Sequence, residues 1–510
     1  MYLLTPQKMK ELEALSDKSG VSYAELMQNA GEKLAEVIYS LPINHSYGIV
    51  FFCGSGNNGG DGFVAAKLLS MGGYPVTVVL MCGEPETELS MRAYLELGES
   101  DAEVLNLYDN NEKIFSKLSS SALIVDAVFG TGFHGELPPQ VKACFSFAAR
   151  SAAKKLAVDV VSGGNCIDGK ISEGTLKCDY TVTFAYEKVG MRMKPLSDYL
   201  GELIVADIGI EKSLIKKVVP IIKTEDDFIE KVIPERSPYS NKGDYGKLVN
   251  IAGSKRMPGA AALSTMSALR TGAGLVTLAA PRTVCESLSG NIYECTYLPL
   301  KETTAGTISQ TTEKEILSLC ENATAVSIGC GMGNNEDTLS ILKALLKNLS
   351  CPIVIDADGL NAMGTGIDIL KDIKADVVIT PHPKELSRLL GLPLEKILEN
   401  RFSIVENLSK EYGITVLSKG NPTIICGANG YSFINENGNA GLSRGGSGDV
   451  LTGIIASLAA QGLSGTDAAA AGAYIFGKAA DITAEKLSMQ GMLPSDVIKE
   501  LPTVFKILKR

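Results

Sequence analysis

Apolar positions fall into two long series along this chain, each alternating between a short continuous run and a helical period. The first series opens with two helices. Thr5-Pro6 is a cap-and-first-turn signal ahead of Met9, Leu12 and Leu15. Ser22 and Glu25 form a capping box ahead of Leu26, Met27, Ala30, Leu34, Val37 and Ile38. Short runs rich in β-branched or aromatic residues follow at Ile49–Cys53, Val76–Met81, Leu123–Val128, Leu156–Val160, Tyr180–Phe184 and Leu203–Val205. Continuous apolar runs separated by helical stretches predict a parallel sheet covered on both faces. The alternation lapses between about Glu211 and Gly243, where prolines and charges gather, and a domain boundary is expected near residue 225. The second series runs through Leu248–Ala252, Leu275–Ala279, Ala325–Ile328, Ile353–Ile355, Val377–Ile379, Ile414–Leu417 and Thr423–Cys426, and ends in an alanine-rich helical segment. The expectation is α/β throughout, with domains over 1–224 and 225–510.

Composition narrows the classes. A length of 510 residues suits two or three domains rather than one. Apolar content of 45% and charged content of 21% are those of a globular protein. A net charge of −10 argues against a nucleic-acid or anionic-membrane surface. The eleven cysteines are scattered, without a C-x-x-C pair, so neither a zinc site nor a disulfide framework is expected. The first residues lack the pattern of a signal peptide, and no apolar run is long enough to span a bilayer; a cytoplasmic protein is the expectation.

Candidate chemistry is densest at Gly445-Gly446-Ser447-Gly448-Asp449, which opens an apolar helical run to Ala460. A helix start directs unpaired N–H groups and partial positive charge outward, and glycines there let a phosphate approach the backbone. An aspartate on that turn can take the proton of a hydroxyl attacking a phosphoryl group. The competing reading is a glycine turn with Asp449 as a helix cap. Further strand-end segments accompany it: Asp356–Asn361, Thr380–Glu385 with His382, and Lys419–Thr423, where a lysine and backbone amides could hold phosphate.

The first series carries a different glycine motif. Gly54, Gly56 and Gly59 satisfy G-x-G-x-x-G between a strand and a helix expected over Phe63–Ser70, which suggests a Rossmann-like domain. No acid closes the next strand, and Asp61 places a negative charge where a pyrophosphate would sit, which argues against an ordinary dehydrogenase. Asn58, Asp126, Asp159 and Ser162 lie at neighbouring strand ends. Such an all-oxygen set suits a hard cation of low charge better than zinc.

The residues Asn57–Gly62, Asp126–Gly132 and Asp159 with Ser162 resemble the NAD(P)H-hydrate epimerase domain, over about residues 1–215. That resemblance implies potassium at Asn58, Asp126 and Ser162. It implies hydrate contacts at Asn57, Asn58, Gly59, Gly60 and Asp61, at Gly130, Thr131, Gly132, Phe133, His134, Gly135 and Glu136, and at Asp159. Val161 stands where the family carries proline. From about Lys242 to Lys506 the chain resembles the ADP-dependent NAD(P)H-hydrate dehydratase, of the ribokinase-like αβα superfamily. This implies hydrate contacts at Ala261, Gly329, Gly331, His382 and Asp449. ADP contacts are implied at Lys419, Gly420, Asn421, Pro422, Thr423 and Gly448, with Mg²⁺ expected to accompany the nucleotide. Together the halves are similar to a bifunctional enzyme acting on hydrated NADH and NADPH. The alternative is a ribokinase-like vitamin-precursor kinase fused to a non-catalytic scaffold domain. The apolar helices Met9–Leu15 and Leu26–Ile38 make a homo-oligomer the expected state.

Overall fold

The computed structural model describes residues 1–44 and 46–509. Contacts divide the chain into two units, one from Tyr2 to Ile221 and one from Ile222 onward.

In the first unit seven strands form a sheet, parallel at every pairing. Their order is Glu103–Asn106, Val76–Leu80, Gly48–Cys53, Ser121–Ala127, Lys154–Val158, Tyr180–Phe184 and Glu202–Ala206. The order reverses at Gly48–Cys53, next to Ser121–Ala127. Ligands of doubly wound sheets bind at such a switch, outside the carboxyl ends of the strands. The strand Glu103–Asn106 escapes sequence reading because its Glu-Val-Leu-Asn carries no continuous apolar run. The opening helices Pro6–Lys18 and Tyr23–Ser40 are capped by Thr5 and by the Ser22–Glu25 box, as their sequence predicts. Leu12, Leu26, Leu34 and Ile38 are buried in this unit's own core, so these helices do not themselves require a partner copy to cover them.

The helix after the glycine motif begins at Asn57, six residues earlier than expected, and runs to Met71. Helix propensity disfavours two glycines in a first turn. Packing overrides it. A Cβ at Gly54 would stand 2.0 Å from the Val128 carbonyl oxygen, and one at Gly59 would stand 2.0 Å from that of Gly54. Glycine lets the helix seat itself directly on the strand end.

In the second unit the strand order is Thr296–Leu300, Leu275–Pro281, Lys247–Ile251, Ala325–Ile328, Ile353–Ile355, Val377–Ile379, Thr415–Ser418, Thr423–Cys426 and Ser432–Asn435. The first seven are parallel and the last two turn antiparallel. The connections there are too short for a crossover. Thr296–Leu300, at the edge of the sheet, and Ser432–Asn435 escape sequence reading; the first contains a proline and the second mixes polar with apolar residues. The buried helices Ser447–Ala460 and Gly465–Leu487 form the heart of this unit's core. Ser447–Ala460 packs so closely on Pro258–Thr271 that a Cβ at Gly453 would lie 2.1 Å from the Ser264 carbonyl oxygen.

Candidate active sites

The first unit opens a cavity of about 460 Å³ at its strand ends. Asn57, Asn58 and Asp61 enter it from the first turns of helix Asn57–Met71, Gly130 to Phe133 from the loop after Ser121–Ala127, and Asp159 from the loop after Lys154–Val158. The other expected contacts stand elsewhere. Gly59 and Gly60 are buried behind the turn, while His134, Gly135 and Glu136 are exposed and outside the cavity lining. Glu136 instead pairs with Lys142 at 3.3 Å.

Asp126 and Ser162 lie fully buried beneath the cavity. The Asp126 carboxylate accepts from Ser162 Oγ at 2.5 Å, from Ser162 N at 2.8 Å and from Val128 N at 3.3 Å. Burial pushes its pKa up to about 6 despite these hydrogen bonds. Among the described residues no cationic side chain partners it. Asn58 presents its amide to Gly130: a Cβ there would stand 3.1 Å from Asn58 Oδ1, and Asn58 Nδ2 is buried without a partner. An uncompensated carboxylate, a hydroxyl and an amide oxygen fit a monovalent hard cation.

Sequence reading missed a buried lysine that lines this cavity. Lys188 is 1% exposed and lines the cavity wall. Its strand, Glu187–Lys188, pairs parallel with Tyr2–Leu4, which fixes its backbone. The ammonium donates to Asp159 Oδ1, to Thr183 Oγ1 at 2.7 Å and to the Phe184 carbonyl at 3.3 Å. Asp159 holds a left-handed backbone, φ 65°, uncommon for a residue with a side chain. Asp61 is held well above the ordinary carboxylate range, by burial first and then by the charges of Asp159 and Glu13. Glu13 is raised in turn by burial and by Asp159. No local motif announces Lys188 or Glu13; tertiary folding alone brings them to Asp159.

The second unit has a larger cavity, about 740 Å³. Asp356, His382 and Lys419 reach it from three adjacent strand ends, and Gly445 to Asp449 form another wall. Gly420, Asn421 and Thr423 line it; Pro422, Ala261, Gly329 and Gly331 do not. Ala261 is fully buried against Gly253, and Gly329 packs so tightly on the Asp356 carbonyl that a Cβ would meet it at 1.9 Å. The antiparallel end of the sheet adds Asn437 and Asn439, and helix Gly465–Leu487 adds Phe476, all unforeseen from sequence.

Gly446 caps the helix Ser447–Ala460 at φ 98°, a conformation that favours glycine. Ser447 follows it in the cavity wall, its hydroxyl buried without a protein partner. Beneath the turn lies an ion pair: Lys419 Nζ meets Asp356 Oδ1 at 2.7 Å, and Thr452 Oγ1 donates to Asp356 Oδ2 at 2.7 Å. A Cβ at Gly448 would stand 3.4 Å from both the Asp356 carboxylate and the Lys419 ammonium. Lys419 is thus engaged by Asp356 while lining the cavity. Burial would raise Asp356, but Lys419 and Thr452 hold it below the ordinary carboxylate range. Burial and the Asp356 charge push Asp449 up to about 6, against a hydrogen bond from Cys330. His382 caps helix Pro383–Leu390 through Nδ1, which accepts from Lys384 N at 3.1 Å and Glu385 N at 3.2 Å. The ring proton of the neutral imidazole thus sits on Nε2. Burial first, then Lys419 and Arg388, lowers its pKa and favours that neutral form.

Two parallel α/β units, each with carboxylates at its strand ends and the second with an amide-lined helix start, define a two-site enzyme of which the second unit is ribokinase-like. Comparison with known proteins specifies it further. Residues 248–503 match the family described as NAD(P)H-hydrate dehydratase, and residues 23–190 match the YjeF-related protein N-terminus. The bifunctional NAD(P)H-hydrate repair enzyme Nnr of Moorella thermoacetica is 35% identical, covering 100% of this chain and 97% of that protein. Its namesake from Escherichia coli is 32% identical, covering 96% and 91%. The ADP/ATP-dependent NAD(P)H-hydrate dehydratase of Bacillus subtilis, co-crystallised with ATP/Mg²⁺, superposes with a TM-score of 0.50 at 27% identity, covering 56% of this chain and 99% of that one. The chain belongs to the bifunctional NAD(P)H-hydrate repair enzyme family. The vitamin-kinase alternative is not favoured.

Proposed function

We propose that the first unit interconverts the R and S epimers of hydrated NADH and NADPH, and that the second dehydrates the S epimer at the expense of ADP, releasing AMP and phosphate. Hydroxide is a poor leaving group, and phosphorylation makes it a good one. Asp449 takes the proton of the hydrate hydroxyl as that oxygen attacks the terminal phosphoryl group of ADP. The amides of Gly446 to Gly448 stabilise the developing charge. Phosphate then departs as the ring nitrogen's electron pair assists, the neighbouring carbon loses a proton, and the double bond reforms.

One observation carries this reading: a carboxylate poised near pKa 6 on a glycine-rich helix start in a cavity wall. It is ionised at neutral pH yet basic enough to accept a proton. Lys419 serves through its backbone turn and by anchoring Asp356, while Gly420, Asn421, Thr423 and the unpaired Ser447 hydroxyl receive the nucleotide. His382 offers its Nε2–H to the hydrate. No cluster of three metal-ligating side chains occurs among the described residues, so Mg²⁺ would arrive on the nucleotide phosphates. In the first unit Asn58, Asp126 and Ser162 would hold K⁺, which would supply the positive charge that Asp126 lacks.

Incubating the purified chain with both hydrate epimers, ADP and K⁺ tests the proposal. Chromatography should show both epimers vanishing, with AMP and phosphate formed in step with NAD(P)H. A stable phosphorylated hydrate would refute it.

A further inference from the structure

The cavity of the first unit gathers Glu13, Asp61, Asp159 and Lys188 from four separate segments, more charge than binding a neutral hydrated ring requires. Of the two lysines among the described residues that line it, Lys10 and Lys188, Lys188 is the buried one. Its ammonium is fixed by Asp159, by Thr183 Oγ1 and by the Phe184 carbonyl. Thr183 Oγ1 also donates to Asp159 Oδ1 at 3.0 Å, so the carboxylate is oriented from two sides. Asp159 keeps a left-handed backbone at φ 65°, a conformation that persists only where the surroundings over-determine it. Asp61 enters the same cavity from helix Asn57–Met71, and Glu13 from helix Pro6–Lys18.

We propose that Asp159 and Asp61 are the base and the acid of epimerisation, and that Lys188 is the positioning residue that holds the Asp159 carboxylate in place and aimed into the cavity. The proposal rests on the epimerase reading of this unit. The hydroxyl carbon of the hydrate also bears the ring nitrogen. Asp159 removes the hydroxyl proton, and the oxygen's electron pair forms C=O as the C–N bond breaks. The C–N electron pair goes to nitrogen, which takes the proton of the Asp61 carboxylic acid. Rotation of the open-chain aldehyde presents its other face. Nitrogen re-attacks, its proton returns to Asp61, and Asp159 gives its proton back to oxygen. No atom is gained or lost, and no co-reactant is needed. Burial and the Asp159 and Glu13 charges favour the protonated Asp61 that this route requires.

The test uses the full chain without ADP, so that only epimer interconversion is read. Lys188→Met should lower kcat for interconversion about 100-fold, with KM changed less than about threefold, and Lys188→Arg should recover part of that loss. Asp61→Asn, which keeps shape while removing the acid, should lower kcat by at least as much. With ADP added, each variant should dehydrate the S epimer at the parental rate. Unchanged kcat in both Lys188→Met and Asp61→Asn, or loss confined to KM, would overturn the proposal. A parental chain that does not interconvert the epimers above the uncatalysed rate would overturn the epimerase reading itself.

Discussion

The two cavities are built on one plan and tuned to different ends. Each contains a lysine–aspartate pair with one partner buried and the other half-buried, Lys188 with Asp159 and Lys419 with Asp356. Each places a second carboxylate, Asp61 or Asp449, in the opening turns of a helix that starts in glycines. In each, burial and the neighbouring aspartate raise that second carboxylate. The degree differs. Asp61 faces Glu13 as well as Asp159 and is held well above the ordinary range, in the form of an acid. Asp449 faces one principal carboxylate, receives the Cys330 hydrogen bond, and rests near 6, in the form of a base. The same residue type on the same kind of turn can therefore donate in one unit and accept in the other, because burial and neighbouring charge set its protonation.

The largest expected effect breaks the comparison outright. Asp449→Asn should lower kcat for dehydration about 10³-fold and leave epimer interconversion intact, whereas Asp61→Asn should do the reverse. Steady-state assays of the two reactions on each variant read both outcomes. Loss of both activities from either substitution would show that the sites are not independent.

A backbone test follows. Gly54→Ala brings a Cβ to 2.0 Å from the Val128 carbonyl oxygen, so the first unit should lose about 2 kcal/mol of stability. Denaturant unfolding followed by epimerase activity should shift, while dehydratase activity should unfold at its former midpoint.

The smallest effect is an electrostatic one and sharpens the parallel. Asp356→Asn removes a charge that raises Asp449 and leaves in place Lys419, which lowers it. The acidic limb of the dehydration pH–rate profile should move to lower pH. Movement to higher pH would show that Asp356 does not tune Asp449.

Much of this was legible in the sequence. Continuous apolar runs marked most strands, and Thr5-Pro6 and Ser22 with Glu25 marked the first two helices. Gly446 to Asp449, Asp356, His382 and Lys419 were visible as strand-end or helix-start signals, and the structure brings them to one cavity. Three kinds of feature were not legible. Helix Asn57–Met71 starts earlier than its sequence predicts, because propensity penalises glycines that close packing requires. Lys188 and Glu13 carry no motif, since only the pairing of Glu187–Lys188 with Tyr2–Leu4 and the seating of the first helix bring them to Asp159. The commitment of Lys419 to Asp356 was also hidden. The turn Lys419–Thr423 gives no sign of the buried carboxylate that the lysine meets.

The central claim is that Asp449 is the base of the phosphoryl transfer, and the pH dependence of kcat/KM for dehydration of the S hydrate tests it most directly. In the parental chain the rate should be full above neutral pH and fall as pH drops through about 6, where Asp449 gains its proton. In Asp449→Asn the residual rate should be about 10³-fold lower and should lack that limb. A variant that keeps both the limb and a near-parental rate would contradict the account.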